Sequence, residues 1–222
     1  MCHSVAFAPV EHTLNPSAIA TLLSMTTSEH PTSLRERKKL RTRQVLADTA
    51  LSMFGERGFD TTPLNDLLDA VEVSRRTFFR NFRSKEDVAL TAVTQLWSAY
   101  LDALDEADTS GPLVDVFRDA MLATLDRMDE DWYRRFPATL RMIERSSSLE
   151  GHTLRDCAQV QREIAHRLGD PRRLELRLLI EFCVATWRCA LDEWLPDCAP
   201  GELPECVRRA FAAMDDSLRL RA

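Results

Sequence analysis

Val73-Ser74-Arg75-Arg76-Thr77-Phe78-Phe79-Arg80-Asn81-Phe82 is the stretch whose reading decides the fold. Ser74 has the side chain that best closes a helix N-terminus, because its hydroxyl accepts an otherwise orphaned backbone amide. The spacing predicts a short helix from there through Asn81. Upstream, Thr61 or Thr62 is the expected N-cap of another helix, with Pro63 in its first turn and Leu64, Leu67 and Leu68 on its buried side. That helix ends near Ala70, so only Val71, Glu72 and Val73 separate the two. Two helices of this length joined by so short a turn have the dimensions of a helix-turn-helix.

In such a unit the first helix crosses the DNA backbone, and the N-terminal residues of the second meet base edges in the major groove. Here those residues are Ser74, Arg75, Arg76 and Thr77. A guanidinium reads the O6/N7 edge of guanine with two hydrogen bonds and also reaches phosphate, so adjacent arginines suit that position.

Working outward, Leu46, Ala50, Met53 and Phe54 form one apolar stripe of a preceding helix, which Gly58 is placed to end. Downstream, Ser84 caps a long helix with Glu86 and Asp87 in its first turn and Ala89, Val93, Leu96, Trp97, Tyr100 and Leu104 inside. That helix is expected to run unbroken to about 107. Further helices are expected over roughly 112–128, 130–147, 153–168, 171–195 and 204–219, with a kink or break at Pro137. The fold class is therefore all-α, with about nine helices: an N-terminal tri-helical helix-turn-helix domain followed by a C-terminal helical domain. The division is a disordered tail over 1–33, a DNA-binding domain over 34–86 and a helical body over 87–222. Met25, just ahead of the basic arm, is a candidate natural start.

The 222 residues carry a net charge of -6, which taken alone argues against a nucleic-acid partner. The charge is uneven. Residues 34–90 hold 12 Lys/Arg and 9 Asp/Glu, giving +3, and Arg35 to Arg43 alone sets six cations against Glu36. Residues 91–222 hold 17 cations and 24 acids, giving -7. Phosphate contact acts within a Debye length of about 8–10 Å, so a basic reading head on an acidic body remains competent for DNA. No apolar run approaches the ~20 residues that a membrane helix requires, and no membrane partner is expected.

The segment from Arg43 to Asp87 resembles the DNA-binding domain of TetR-type transcriptional regulators. The resemblance is carried by Ala50-Leu51, Phe54, Gly58-Phe59, Thr61-Thr62, Leu67, Ala70, the Val73–Phe82 stretch and Ser84-Lys85-Glu86-Asp87. The Ser-Arg-Arg-Thr-Phe-Phe-Arg run is most similar to members from high-GC Gram-positive bacteria. By resemblance, Arg75, Arg76 and Thr77 touch bases and nearby phosphates, Thr62 and Lys85 hold phosphates, and Asn81 lies at another contact position. Ser74, Phe79, Arg41 and Arg43 complete the expected DNA-binding set. The chain departs from the family twice. Phe79 stands where Tyr is usual, and Glu72 stands where the turn usually carries Gly, so either Glu72 is held at positive φ at a cost of about 1 kcal/mol or the turn is altered.

The 171–195 helix is apolar nearly all round, and the 204–219 helix carries an apolar stripe. The resemblance implies that these two helices form a four-helix homodimer interface, with Leu174, Leu178, Phe182, Ala185, Val207, Ala210, Phe211 and Met214 in it. It also makes 87–222 the ligand-binding and dimerisation domain, with an effector pocket for which Trp97, Tyr100, Met121, Leu125, Met128, Tyr133, Met142, Phe182 and Trp187 are the candidates. Arg141, Glu181 and Arg188 sit on otherwise apolar helices, so each is expected to be paired or to meet a ligand. The six cysteines lack CxxC spacing and the five histidines make no ligand cluster, so no metal or cofactor is expected. Cys198 and Cys206 flank a Pro-rich connection and are the candidates for an exposed redox pair.

These features describe a cytoplasmic, effector-responsive repressor of a palindromic operator. The alternative is a DNA-binding regulator without small-molecule input, governed by cysteine oxidation or a protein partner; a fully packed helical core would favour it. An enzyme is disfavoured, since no nucleophile–base pair, paired carboxylates or metal cluster appears.

Overall fold

The computed structural model describes residues 34–199, 201–217, 219 and 220. Among them are ten helices and no strand: α1 Leu34–Arg57, α2 Leu64–Ala70, α3 Arg75–Asn81, α4 Lys85–Ala89, α5 Thr91–Asp105, α6 Leu113–Asp126, α7 Glu130–Glu144, α8 Ser147–Leu168, α9 Leu174–Trp194 and α10 Leu203–Ser217. The expected tail over 1–33 lies outside the described residues. No described helix is long and apolar enough to cross a membrane.

The tenth helix arises from a break in the expected long one. Leu90 leaves helical geometry at φ -93°, ψ 16°, and separates α4 from α5. Beside it the Thr91 hydroxyl donates to the Val88 carbonyl at 2.7 Å, a local bond that competes with the helical ladder. Other boundaries moved for similar reasons. Thr61 and Thr62 do not cap α2: their hydroxyls point back, to the Arg57 and Gly58 carbonyls, and Pro63 holds the N-cap position without a side-chain bond. They therefore close α1, together with Gly58 at φ 86°. Ser146 caps α8, accepting from the Leu149 amide, so α8 starts earlier than its apolar pattern suggests. The assigned helix α7 runs unbroken through Pro137, which is buried with Phe136; burial of that face outweighs the lost amide bond.

Two hydrophobic clusters meet near Leu90. The first gathers Leu46, Ala50, Met53, Phe54, Phe59, Leu67, Phe78, Phe82 and Leu90 under α1 to α4, and it takes in Met142 of α7 and Leu149 of α8. The second fills the body between α5, α6, α7, α8, α9 and α10. Its centre is aromatic: Phe136 stacks on Trp132 at 4.3 Å and faces Trp187 and Trp194 at 6.5 and 6.4 Å. The Trp132 indole donates to the Ala92 carbonyl at 2.9 Å, which ties α7 to the start of α5.

Candidate nucleic-acid interface

Ser74 opens α3 as its sequence position predicts. Its Oγ accepts from the Thr77 amide at 3.1 Å, and its hydroxyl donates to Thr77 Oγ1 at 3.1 Å. Arg75, Arg76, Phe79 and Arg80 project from α3 into solvent. Arg75 is held: Nε and Nη2 donate to Oδ1 of Asn65, on α2, at 3.2 and 2.7 Å. Phe79 is 54% exposed, its ring set edge-on to the buried Phe78.

The turn before α3 has a definite geometry. Val73 donates to the Leu68 carbonyl at 3.0 Å and Glu72 to that of Asp69 at 3.2 Å, the double bond of a Schellman motif. That motif requires a left-handed residue at Glu72, which has φ 55°, so of the two alternatives the turn keeps its geometry and Glu72 carries the positive φ.

The other expected DNA-binding residues divide by exposure. Arg41 is exposed on α1. Arg43 is half-buried, 4.2 Å over the Phe82 ring, and donates to the Asn81 carbonyl at the end of α3. Burial pulls its guanidinium down from the usual value, against the attraction of Asp87. Lys85 lies over the Phe59 ring at 4.0 Å and donates to the Phe59 carbonyl. Burial lowers it too, against Asp60 and Glu86. Asn81 is buried, its Nδ2 donating to the Thr77 carbonyl at 2.7 Å, and Thr62 is buried with its hydroxyl on Gly58. In this structure, therefore, Ser74, Arg75, Arg76 and Phe79 of α3 are open to solvent, as is Arg41 on α1, while Arg43, Thr62, Asn81 and Lys85 are turned into the packing behind α3. Sequence reasoning missed Asn65 and Arg80. Arg80 was legible as the next turn of α3; Asn65 was not, because only the crossing of α2 and α3 brings it to Arg75.

A family model described as bacterial regulatory proteins of the TetR family matches residues 46–92, and one described as the MftR C-terminal domain matches residues 111–219. The HTH-type transcriptional regulator TcmR of Streptomyces glaucescens is 31% identical over 197 residues, 84% of this chain and 86% of the relative. The chain belongs to the TetR family. A mycofactocin biosynthesis transcriptional regulator from Mycobacterium tuberculosis is 26% identical over 118 residues, 53% of this chain and 59% of its own length. Among solved structures, Salmonella enterica GusR shares the fold at TM-score 0.52 and 18% identity, covering 82% of this chain and 97% of its own. The SmeT–triclosan complex does so at 0.51 and 20%, covering 81% and 90%. As a TetR-family member the protein is a DNA-binding transcriptional regulator and not an enzyme.

The body of this TetR-family chain encloses a space of about 20 Å³ lined by Trp97, Tyr100, Phe117, Met121, Ile164, Cys183, Val184, Trp187 and Phe211. Four of these are among the expected pocket residues. Leu125, Met128 and Tyr133 pack into the core away from the space, Met142 sits in the seam with the reading head, and Phe182 faces outward. The lining is apolar. The Tyr100 hydroxyl donates to the Phe117 carbonyl at 3.5 Å, and burial alone pushes the Cys183 thiol up to about 12.

On α9, Ile180, Cys183, Val184, Trp187 and Leu191 face the core. Leu174, Leu178 and Phe182 stand 61%, 46% and 41% exposed, with Ala185 half-buried beyond them. On α10, Val207 and Phe211 are buried within the chain, whereas Ala210 and Met214 are half-buried. Thus α9 has an apolar face that this single chain leaves uncovered. Arg141 donates to Cys198 Sγ at 3.2 Å and Glu181 accepts from Gln161 at 3.0 Å, so both are occupied. Arg188 is exposed. Cys198 is half-buried and Cys206 buried, so the expected exposed pair does not form a shared surface. No group of metal-binding side chains occurs among the described residues.

Proposed function

We propose that the protein is a cytoplasmic homodimeric repressor that reads a palindromic operator through α3 and leaves it when a small apolar effector enters the body. The observation that carries the DNA reading is the open face of Ser74, Arg75, Arg76 and Phe79 on a capped helix; the exposed Arg41 on α1 is proposed as a further phosphate contact. In this reading residues 34–86 read DNA and 87–222 sense and dimerise, and the recognition helix is of the type seen in high-GC Gram-positive members. The relatives from Streptomyces and Mycobacterium support that last point.

Dimerisation is supported by the uncovered Leu174, Leu178, Phe182 and Ala185 stripe, since a single half-site reader binds weakly and two related by a two-fold axis meet grooves ~34–36 Å apart. Ala210 and Met214 flank it. Val207 and Phe211 hold α10 in place from inside. Effector entry is supported by the aromatic and apolar lining around Trp97, Tyr100, Met121 and Trp187. The space holds about one water-sized body, so an effector must part α5 from α9. That displacement reaches the reading head through the joint at Leu90, and a coupling of about 1–3 kcal/mol suffices for release.

The small volume of that space favours a second reading, in which no small molecule acts and a protein partner or thiol oxidation governs the repressor. A selection of bound sequences from randomised duplex DNA, followed by a screen of apolar compounds for release of the selected duplex, separates the two. Arg75→Ala and Arg76→Ala should abolish the shift and leave the dimer intact. If both variants still select the same sequence, the assignment of α3 fails.

A further inference from the structure

Arg75 does not wave freely above the groove. Asn65 Oδ1 accepts from Nε and Nη2, which lie along one edge of the guanidinium. Of the five N–H donors, Asn65 occupies the Nε hydrogen and one on Nη2. The other Nη2 hydrogen and one Nη1 hydrogen lie side by side at the end of the group, and the second Nη1 hydrogen points back towards the stem. That end pair matches the spacing of O6 and N7 on guanine.

We infer that Asn65 is a positioning residue which fixes Arg75 as an end-on reader of guanine, so that base discrimination at one operator position depends on a side chain of α2. The inference rests on the proposal that α3 reads bases. Three features support it. Both side chains are exposed, so the pair owes nothing to burial and is free to meet DNA. An amide oxygen orients the guanidinium without cancelling its charge, which a carboxylate at the same place would do. A long, flexible arginine loses rotamer freedom on binding, and holding it beforehand lowers that loss. Arg76 has no ion pair among the described residues and is left to phosphates or to an adaptable base contact.

The test uses the full-length chain and duplexes selected from a randomised pool. The position read by Arg75 is the guanine whose enrichment disappears when Arg75→Ala, which no longer shifts DNA at wild-type concentrations, is put through the selection at low salt and raised protein concentration. At that position, Asn65→Ala is expected to cut the preference for guanine over adenine about tenfold and leave the other positions unchanged. Replacing that guanine by 7-deazaguanine, which lacks the N7 acceptor, should weaken the wild type and have a much smaller effect on Asn65→Ala. Asn65→Asp keeps the acceptor oxygen, so it should bind more weakly at every sequence and yet retain the guanine preference. If Asn65→Ala keeps full preference while Arg75→Ala loses it, the positioning role is overturned and the base reading stands. If Asn65→Ala weakens binding evenly at all positions, Asn65 acts only on the fold and the inference is again overturned. If Arg75→Ala selects the wild-type sequence, the base reading itself fails.

Discussion

The Arg43 guanidinium lies 4.2 Å over the Phe82 ring while it donates to the carbonyl of Asn81, the last residue of α3. One cation thus ties α1 to both the C-terminus of α3 and the residue after it. A desolvated cation over an aromatic ring, with a charged hydrogen bond to a helix-end carbonyl, contributes about 1–2 kcal/mol. Arg43→Ala should therefore lower the melting temperature of the protein and weaken operator binding evenly across sequences. Arg41→Ala, at an exposed position on the same helix, should leave the melt unchanged and reduce the slope of log affinity against log salt by about one. Thermal melts and salt titrations of the two variants, side by side, distinguish a brace from a phosphate contact.

Glu72 holds a left-handed conformation at φ 55° because the Schellman bonds to Leu68 and Asp69 leave no other. Glycine adopts that conformation without the steric cost, and it removes a carboxylate from the turn that is proposed to face DNA. Glu72→Gly should raise stability by up to about 1 kcal/mol and tighten operator binding. Glu72→Ala removes the charge but retains the Cβ, so it should tighten binding without the gain in stability. Equal melts for both variants would show that the turn carries no strain.

The reading head was legible for a local reason. Ser74, Ser84 and Gly58 each act through backbone groups within a few residues, and Glu72 inherits its φ from its place in the turn. What stayed hidden depends on encounters between distant segments. A lysine at a helix start has the same sequence whether it faces phosphate or, as Lys85 does, folds over Phe59 twenty-six residues away. Asn81 and Thr62 carry polar side chains at positions the family uses for DNA, yet packing turns both inward. The periodicity of α9 reveals two apolar stripes, but only the neighbours decide that Ile180 and Trp187 are inside while Leu178 and Phe182 are outside. On α10 that decision puts Val207 and Phe211 inside. The break at Leu90 had no Gly or Pro to announce it.

Phe79 leaves an aromatic ring 54% exposed on the face by which α3 is proposed to meet DNA, and it lacks the hydroxyl usual for the family. Phe79→Tyr supplies a donor at the far end of the ring. It should strengthen binding to the selected duplex several-fold by adding about one hydrogen bond to a phosphate, with no change in base preference. Unchanged affinity in a gel-shift titration would mean that the ring does not approach the backbone.

Leu178 and Phe182 are 46% and 41% exposed in the single chain, so a charge at either costs the monomer little and costs a dimer interface heavily. Phe182→Arg and Leu178→Asp should shift the protein from dimer to monomer in sedimentation, keep its helical circular-dichroism spectrum, and lose operator affinity at nanomolar protein. Val207→Asp, at a fully buried site, should instead unfold the chain. If Phe182→Arg still sediments as a dimer, the α9 face is not the interface.

Cys183 gives the core a pH signature. Burial pushes its thiol up to about 12, whereas an unfolded-chain cysteine titrates near ~8.5. The folded state therefore holds its proton more tightly than the unfolded one. The corresponding stability is fully present below about pH 8.5 and is lost as pH rises towards the folded value, at up to ~1.4 kcal/mol per pH unit for this one proton. Denaturant titrations of the wild type at pH 7.5 and 10 should show stability falling between them, and Cys183→Ala should remove the part of that slope owed to this thiol. At pH 8, an alkylating reagent should spare Cys183, which is buried between Tyr100 and Trp187, in the native protein and modify it once the chain is unfolded. Rapid native-state alkylation of Cys183 would mean that the body opens spontaneously and already presents the space an effector would fill.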